Sequence, residues 1–324
     1  MTQKTIKILF GITFLLFNLL IVNFINDRYL SHIIKNQLVL RKEESYQNYI
    51  STLLKKEIKY AFFGDSHTAD NINPNFIFEA YNFGSSGENY IKSYYKLKKT
   101  LEKDTVRINT VIFEVDMHTF ASPLKEPGIQ DELYYYSKFI PISEIAQIND
   151  ESNLNIWIKA NFPSFGKGED FLSIPSLSNL TIIDRGWTAA SGNFSLKSSK
   201  EKITDSNIVY ERHFENKKRI GKITFSYFIK SLKLADSNNC HIILIKYPVS
   251  KEYQAALIDH KIEKDDYYQT ISDATENVLG KKPLFLDYYT LFNNHQEYFY
   301  DPDHLNKLGS EILSSQISKD LSAL

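Results

Sequence analysis

The chain predicts an α/β fold, a doubly wound parallel sheet of about five strands, on three observations. Short apolar runs alternate with stretches of helical periodicity, giving strands at 59–63, 80–83, 108–115, 241–247 and 283–287 and helices at 88–103, 213–236, 265–279 and 305–321. Val111-Ile112-Phe113-Glu114-Val115 and Ile242-Ile243-Leu244-Ile245 are almost continuously apolar, as strands covered on both faces should be. Turn-forming residues Gly84, Gly87, Pro248 and Pro302 follow strands, at the sheet edge where open α/β folds bind ligands.

Taken in order, Met1–Lys7 precedes an apolar run from Ile8 to Ile25 interrupted only by Thr13, Asn18 and Asn23. As a helix this run rises about 27 Å, near the lower limit for crossing a bilayer. No Ala-x-Ala pattern follows it, so a retained single transmembrane anchor is expected. Lys4 and Lys7 before the span predict the N-terminus inside and the rest of the chain extracytoplasmic. The expected organisation is a cytoplasmic N-terminus at 1–7, the anchor at 8–25, a helical stalk at 26–57 and a catalytic domain at 58–324. Proline-rich and aromatic sequence at about 120–212, including Tyr134-Tyr135-Tyr136, breaks the alternation and is expected to be an insertion or lid. Within it Trp187, beside Asp184, Arg185 and Thr188, reads either as an aromatic platform for a sugar or as partial core.

With 38 basic and 39 acidic residues, nothing advertises a nucleic-acid partner. The single cysteine, Cys240, opens a strand and can form no internal disulfide. His213 is read at a helix start, and no histidine shows metal-ligand spacing. No phosphate-cradling glycine loop follows the first strand either, so neither metal nor cofactor is expected.

The first strand runs into Gly64-Asp65-Ser66-His67-Thr68, which brings Ser66 to the sheet's carboxyl end as a candidate nucleophile. Gly64 is expected to turn the chain at positive φ, and His67 to shape the turn. By itself Gly-Asp-Ser is more often only a turn, its side chains bonding their own backbone. Near the C-terminus, Asp301 and His304 stand three apart, close enough for a carboxylate to orient the imidazole that would deprotonate a serine. Read alone, they are better explained by Asp301 or Asp303 capping the last helix and a surface histidine. An α/β-hydrolase elbow is absent, since Thr68 stands where its second glycine belongs.

Together these residues resemble the SGNH (GDSL-type) hydrolases. The first block matches at Gly64-Asp65-Ser66, and the last at Asp301-x-x-His304 followed by Leu305-Asn306 and Gly309. The second matches at Tyr81-Asn82-Phe83-Gly84-Ser85-Ser86-Gly87-Glu88, with the oxyanion glycine on Gly87. The third departs: Gly-x-Asn-Asp is replaced by Glu114-Val115-Asp116-Met117-His118, with His118 where the oxyanion asparagine would fall. The resemblance covers residues 58–120 and 240–324.

It implies Ser66, Asp301 and His304 as catalytic residues, and an oxyanion hole from the N–H groups of Ser66 and Gly87 with His118 as side-chain donor. A polar loop role or a substrate contact for His118 stays open. It further implies a membrane-anchored serine esterase or O-acyltransferase forming an acyl-enzyme on Ser66, resolved by water or by a sugar hydroxyl. The span, triad, altered third block and insertion are similar to those of proteins that acylate cell-surface polysaccharides. The implied partners are an acylated carbohydrate or other ester, the membrane, and a membrane acyl-donor protein. A catalytically inactive binding or assembly protein of a polysaccharide export complex is the alternative; the missing asparagine favours it and the retained triad opposes it.

Overall fold

The computed structural model describes residues 2–34, 56–104, 106–121, 133, 137, 140–161, 185–187, 189–214, 220–262 and 264–324. In chain order its helices and strands begin with α1 (Gln3–Ile34), β1 (Lys56–Phe63), α2 (Ser66–Asn71), β2 (Ala80–Asn82) and α3 (Tyr90–Leu101). There follow β3 (Val106–Glu114), α4 (Met117–Ala121), α5 (Ile142–Asn149), α6 (Asn153–Asn161), α7 (Ser199–Phe214) and α8 (Lys222–Ser237). The last are β4 (His241–Lys246), α9 (Lys251–Asp259), α10 (Lys264–Leu279), β5 (Leu284–Asp287) and α11 (Lys307–Ser322).

The chain divides into two units. The first, residues 1–41 and 130–180, holds α1, α5 and α6. Over Gln3–Val22 α1 has a mean hydropathy of 2.2 and is long and apolar enough to cross a membrane. The helix continues to Ile34, covering the start of the expected stalk, whereas 35–55 lie outside the described residues. The stalk's expected last residues, Lys56 and Glu57, belong to β1.

The second unit, 42–129 and 181–324, carries a five-stranded sheet in the order β2-β1-β3-β4-β5 with every pairing parallel. This is the doubly wound arrangement expected, in the order that places its switch point between β1 and β3. The apolar runs explain it, because both faces of the central strands are covered. Phe62, Ile112, Ile243 and Ile245 pack with Leu313, Ile317 and Leu321 of α11. On the opposite face Phe63 and Phe113 have ring centroids 6.0 Å apart, and Phe113 meets Phe228 of α8 edge-on at 6.3 Å. Truncating one such side chain typically costs about 2–5 kcal/mol.

Two differences from the sequence expectation have local causes. The expected helix at 213–236 is two helices, with His213 in the last turn of α7 and not at a helix start. α7 is set off by a capping box in which Ser198 and Glu201 bond each other's backbone and side chains. Extended Gly221 caps α8 (φ −70, ψ 122). α9, unmarked by periodicity, is capped by Ser250, whose hydroxyl accepts from the N–H of Tyr253. Of the expected insertion, 122–132, 134–136, 138–139, 162–184 and 188 lie outside the described residues. Trp187 is core: it is 9% exposed and its indole N–H donates to the Asp70 carbonyl at 3.0 Å.

Gly64 does not adopt positive φ; the described glycines that do are Gly87, Gly186, Gly192 and Gly280. Its lack of a side chain is required instead by close approach, since a Cβ would collide with the Glu114 carboxylate and the Thr68 hydroxyl. Gly64→Ala should therefore destabilise the fold by roughly 1–3 kcal/mol, the usual penalty of overpacking. Urea unfolding would show this as a lowered midpoint at unchanged slope, and an unchanged midpoint would mean that Glu114 yields freely.

Candidate active site

β1 ends at Phe63, and the chain turns through Gly64 into α2, whose first residue is Ser66. Two carboxylates shape this turn. Asp65 caps the helix, its Oδ1 accepting from the N–H of His67 at 2.9 Å. Glu114, at the end of β3, accepts through Oε2 from the N–H of Asp65 (3.0 Å), the N–H of Thr68 (3.1 Å) and the Thr68 hydroxyl (2.7 Å). Helix starts leave such N–H groups orphaned, and here the neighbouring strand supplies the acceptor.

The second loop arrives from the other end of the chain. The Phe299–Leu305 bridge and the Tyr300 N–H on the His304 carbonyl (3.1 Å) close a tight turn. Asn306 then caps α11, its Oδ1 accepting from the Gly309 N–H at 3.0 Å. The side chain of Asn71, the last residue of α2, accepts from the Leu305 N–H at 2.9 Å and ties the two loops together.

This brings His304 Nε2 to 2.8 Å from Ser66 Oγ. On the other side of the ring Nδ1 lies 3.0 and 3.1 Å from the two Asp301 oxygens, and the backbone N–H of His304 also donates to Asp301, at 2.8 Å. Ser66, Asp301, His304, Gly87 and His118 line one cavity of about 350 Å³, together with Asp70, Arg212, His213 and Tyr300. The N–H groups of Ser66 and Gly87 find no acceptor among the described residues. Gly87 holds φ +66, a left-handed conformation that glycine adopts without strain. His118 Nε2 is taken by Asp65 Oδ2 at 2.7 Å, which leaves Nδ1 without a hydrogen-bond partner among the described residues.

Behind the cavity lies a buried network of acids and imidazoles. His67, 1% exposed, does more than shape the turn: its Nδ1 lies 2.6 Å from Asp116 Oδ2 and its Nε2 3.2 Å from Asp303 Oδ2. Asp116 also accepts from the Tyr247 N–H at 3.1 Å, joining the ends of β3 and β4. Asp303, fully buried, lies 3.3 Å from His304 Nδ1 and 3.5 Å from His213 Nε2.

The electrostatics follow from this packing. Burial opposes the charge on His304, but the carboxylates of Asp303 and Asp301 outweigh it and hold the imidazole well above its ordinary range. His67 is likewise raised against its burial by hydrogen bonds to Asp116 and Asp303. Burial would raise Asp65 and Asp303, yet the facing imidazoles, His118 and His304 respectively, keep both below the usual carboxylate range. Glu114 is pushed well up, by burial first and then by the charges of Asp65 and Asp116.

Two sets among the described residues have ligand atoms close enough to hold a metal ion, namely His67–Asp303–His304 and His67–Glu114–His118. In both, imidazole nitrogens are engaged with carboxylates or with Ser66.

Sequence reasoning passed over Glu114, Asp116, Asp303 and Arg212 as site residues. An acid inside the apolar run of β3 and the doubled acid of Asp301-Pro302-Asp303-His304 were the available signals for the first three. Arg212 carried none, because only the placement of α7 brings it to the cavity.

No family model matches the chain, and no curated protein matches it. Among solved structures it is similar to a crystal structure from Bacteroides fragilis NCTC 9343 described as a "putative acylhydrolase". The TM-score is 0.40 and the identity 13%, over 86% of this chain and 95% of that one. A likeness this remote says nothing about chemistry, which rests on the geometry above.

The shifts set how stability varies with pH. Folded His67 and His304 bind their protons more tightly than the ordinary 6.5, so their contribution is full below pH 6.5 and lost as pH rises through the folded values. Asp65 and Asp303 contribute above their ordinary 3.8 and lose that contribution as pH falls through the folded values. The unfolding free energy, followed by urea titration, should therefore decline on the alkaline side of 6.5, and His67→Asn should flatten that limb. An alkaline slope unaltered by His67→Asn would contradict a buried imidazolium at this position.

Proposed function

We propose that this protein is a serine esterase or O-acyltransferase that carries an acyl group on Ser66 and acts on esters of cell-surface polysaccharide. The observation that carries the reading is the 2.8 Å contact of His304 Nε2 with Ser66 Oγ, with Asp301 on the ring's other nitrogen. A serine hydroxyl is a poor nucleophile until a base takes its proton, and an imidazole is an effective base when a carboxylate fixes its tautomer.

In the proposed reaction His304 accepts the Oγ proton as Oγ attacks the ester carbonyl. The resulting oxyanion is met by the N–H groups of Ser66 and Gly87, both without an acceptor among the described residues, and by His118 through Nδ1. Collapse releases the alcohol and leaves acyl-Ser66. Water then completes hydrolysis, or a sugar hydroxyl completes transfer. The cavity is of a size usual for small-molecule sites.

The apolar N-terminal helix supports a single-pass anchor, and the lysines before it support an extracytoplasmic catalytic unit, where a membrane protein would deliver the acyl group. The resemblance to SGNH hydrolases supports the same assignment. A second reading, an inactive binding or assembly protein of a polysaccharide export complex, is favoured by one observation: the residue in the asparagine's place has Nε2 committed to Asp65.

A serine-directed phosphonate separates the two. Intact-mass analysis of the full chain should show one adduct, absent from Ser66→Ala; a folded parent chain that takes up no phosphonate would favour the binding role. Turnover of an acetyl ester should rise with pH through a value above 6.5, because the imidazolium of His304, favoured by Asp303 and Asp301, cannot accept a proton. Asp301→Asn should lower kcat on the order of 10⁴-fold, as loss of the orienting carboxylate does in serine hydrolases.

A further inference from the structure

We propose that His118, held by Asp65, is a second proton carrier in this cavity, giving a proton to the departing alcohol and later taking one from the accepting hydroxyl. The inference rests on the acyl-enzyme reading above and adds a catalytic duty to a hydrogen-bonding one.

Two imidazole–carboxylate pairs line the same cavity as Ser66. In one, His304 is held by Asp301; in the other, His118 Nε2 is held by Asp65 Oδ2 at 2.7 Å. Asp65 is the residue before the nucleophile and caps its helix, so the second pair is fixed relative to Ser66 as firmly as the first. The ring of His118 is also held by its neighbours, stacked on His213 at 4.3 Å and 14° and tilted against His67 at 4.4 Å and 59°. Burial above all keeps His213 well below the ordinary histidine range. Behind the pair, Glu114 Oε1 lies 3.8 Å from His118 Nε2 and has no hydrogen-bond partner among the described residues. With Nε2 taken, Nδ1 is the atom that His118 can offer a substrate, and it makes no hydrogen bond to any described residue.

His304 sits between two carboxylates, and a proton it takes from Ser66 is tightly bound. That makes it a strong base for taking the serine proton. A second ring, held by Asp65, completes the proton balance. In acylation the Ser66 O–H breaks, its proton goes to His304 Nε2 and the Oγ–carbonyl bond forms. The bond to the alcohol oxygen then breaks, and that oxygen takes the proton of His118 Nδ1. In the second half the acceptor's O–H breaks, its proton goes to His118 Nδ1 and its oxygen bonds the acyl carbon. The bond to Oγ breaks, and Oγ recovers its proton from His304. Both rings end as they began.

The test is leaving-group dependence in the full chain, comparing 4-nitrophenyl acetate, whose phenolate departs without a proton, with a simple alkyl acetate, whose alkoxide needs one. His118→Gln should slow the alkyl ester by about 100-fold or more beyond its effect on the aryl ester, the usual reach of general acid catalysis. Asp65→Asn should show the same selectivity. The aryl ester reports folding and the oxyanion hole within each variant. Equal losses on the two esters, or no loss on either, would overturn the inference and leave His118 a hydrogen-bond donor or a packing residue. If Ser66→Ala retained the parent's turnover, or the parent turned over neither ester, the acyl-enzyme reading itself would fall.

Discussion

The Glu114 carboxylate at the end of the central strand is the interaction on which the site depends. Through one oxygen it takes the N–H groups of Asp65 and Thr68, two donors that would otherwise be buried at the start of α2 without a partner, and the Thr68 hydroxyl. An unmade hydrogen bond in such a place costs about 1–3 kcal/mol. The arrangement ties β1 and β3 together where their ladder ends, and it demands a residue without a side chain at position 64. Ser66 is presented at the sheet edge because that turn is pinned from the neighbouring strand.

The charges behind the cavity form a connected system. Asp303 lies against His67, His304 and His213, and His67 reaches on to Asp116, which holds the end of β4. Groups this deeply buried are tolerated only when paired, and each acid here has an imidazole or backbone donor facing it. The loop that brings His304 to Ser66 therefore docks through charge as well as through the Asn71–Leu305 hydrogen bond. It also follows that the two acids of Asp301-Pro302-Asp303 do different things. Asp301 faces the cavity rim and the imidazole edge, whereas Asp303 is sealed inside and shared.

The order of strands and helices was legible in the sequence because β1, β3 and β4 are covered on both faces, and double burial writes itself as uninterrupted apolar residues. Gly64, Ser66, Asp301 and His304 could be named from local spacing and from a family resemblance. Less was readable where tertiary contact replaces local pattern. The reason for glycine at 64 is a neighbouring carboxylate rather than a dihedral angle, and Trp187 is core because Asp70 offers its carbonyl. α9 has weak periodicity and depends on its Ser250 cap and on packing against α7.

By itself, then, the sequence determined the fold class, the apolar N-terminal helix and which residues bear reactive groups, since these follow from composition and period along the chain. Only the tertiary structure decided that Ser66 and His304, 238 positions apart, share a hydrogen bond, and that His67 and His118 each answer to a carboxylate. The physical reason is that side-chain partnership in a buried site is set by which strand ends and helix starts meet at one sheet edge, and no period in the sequence records that meeting.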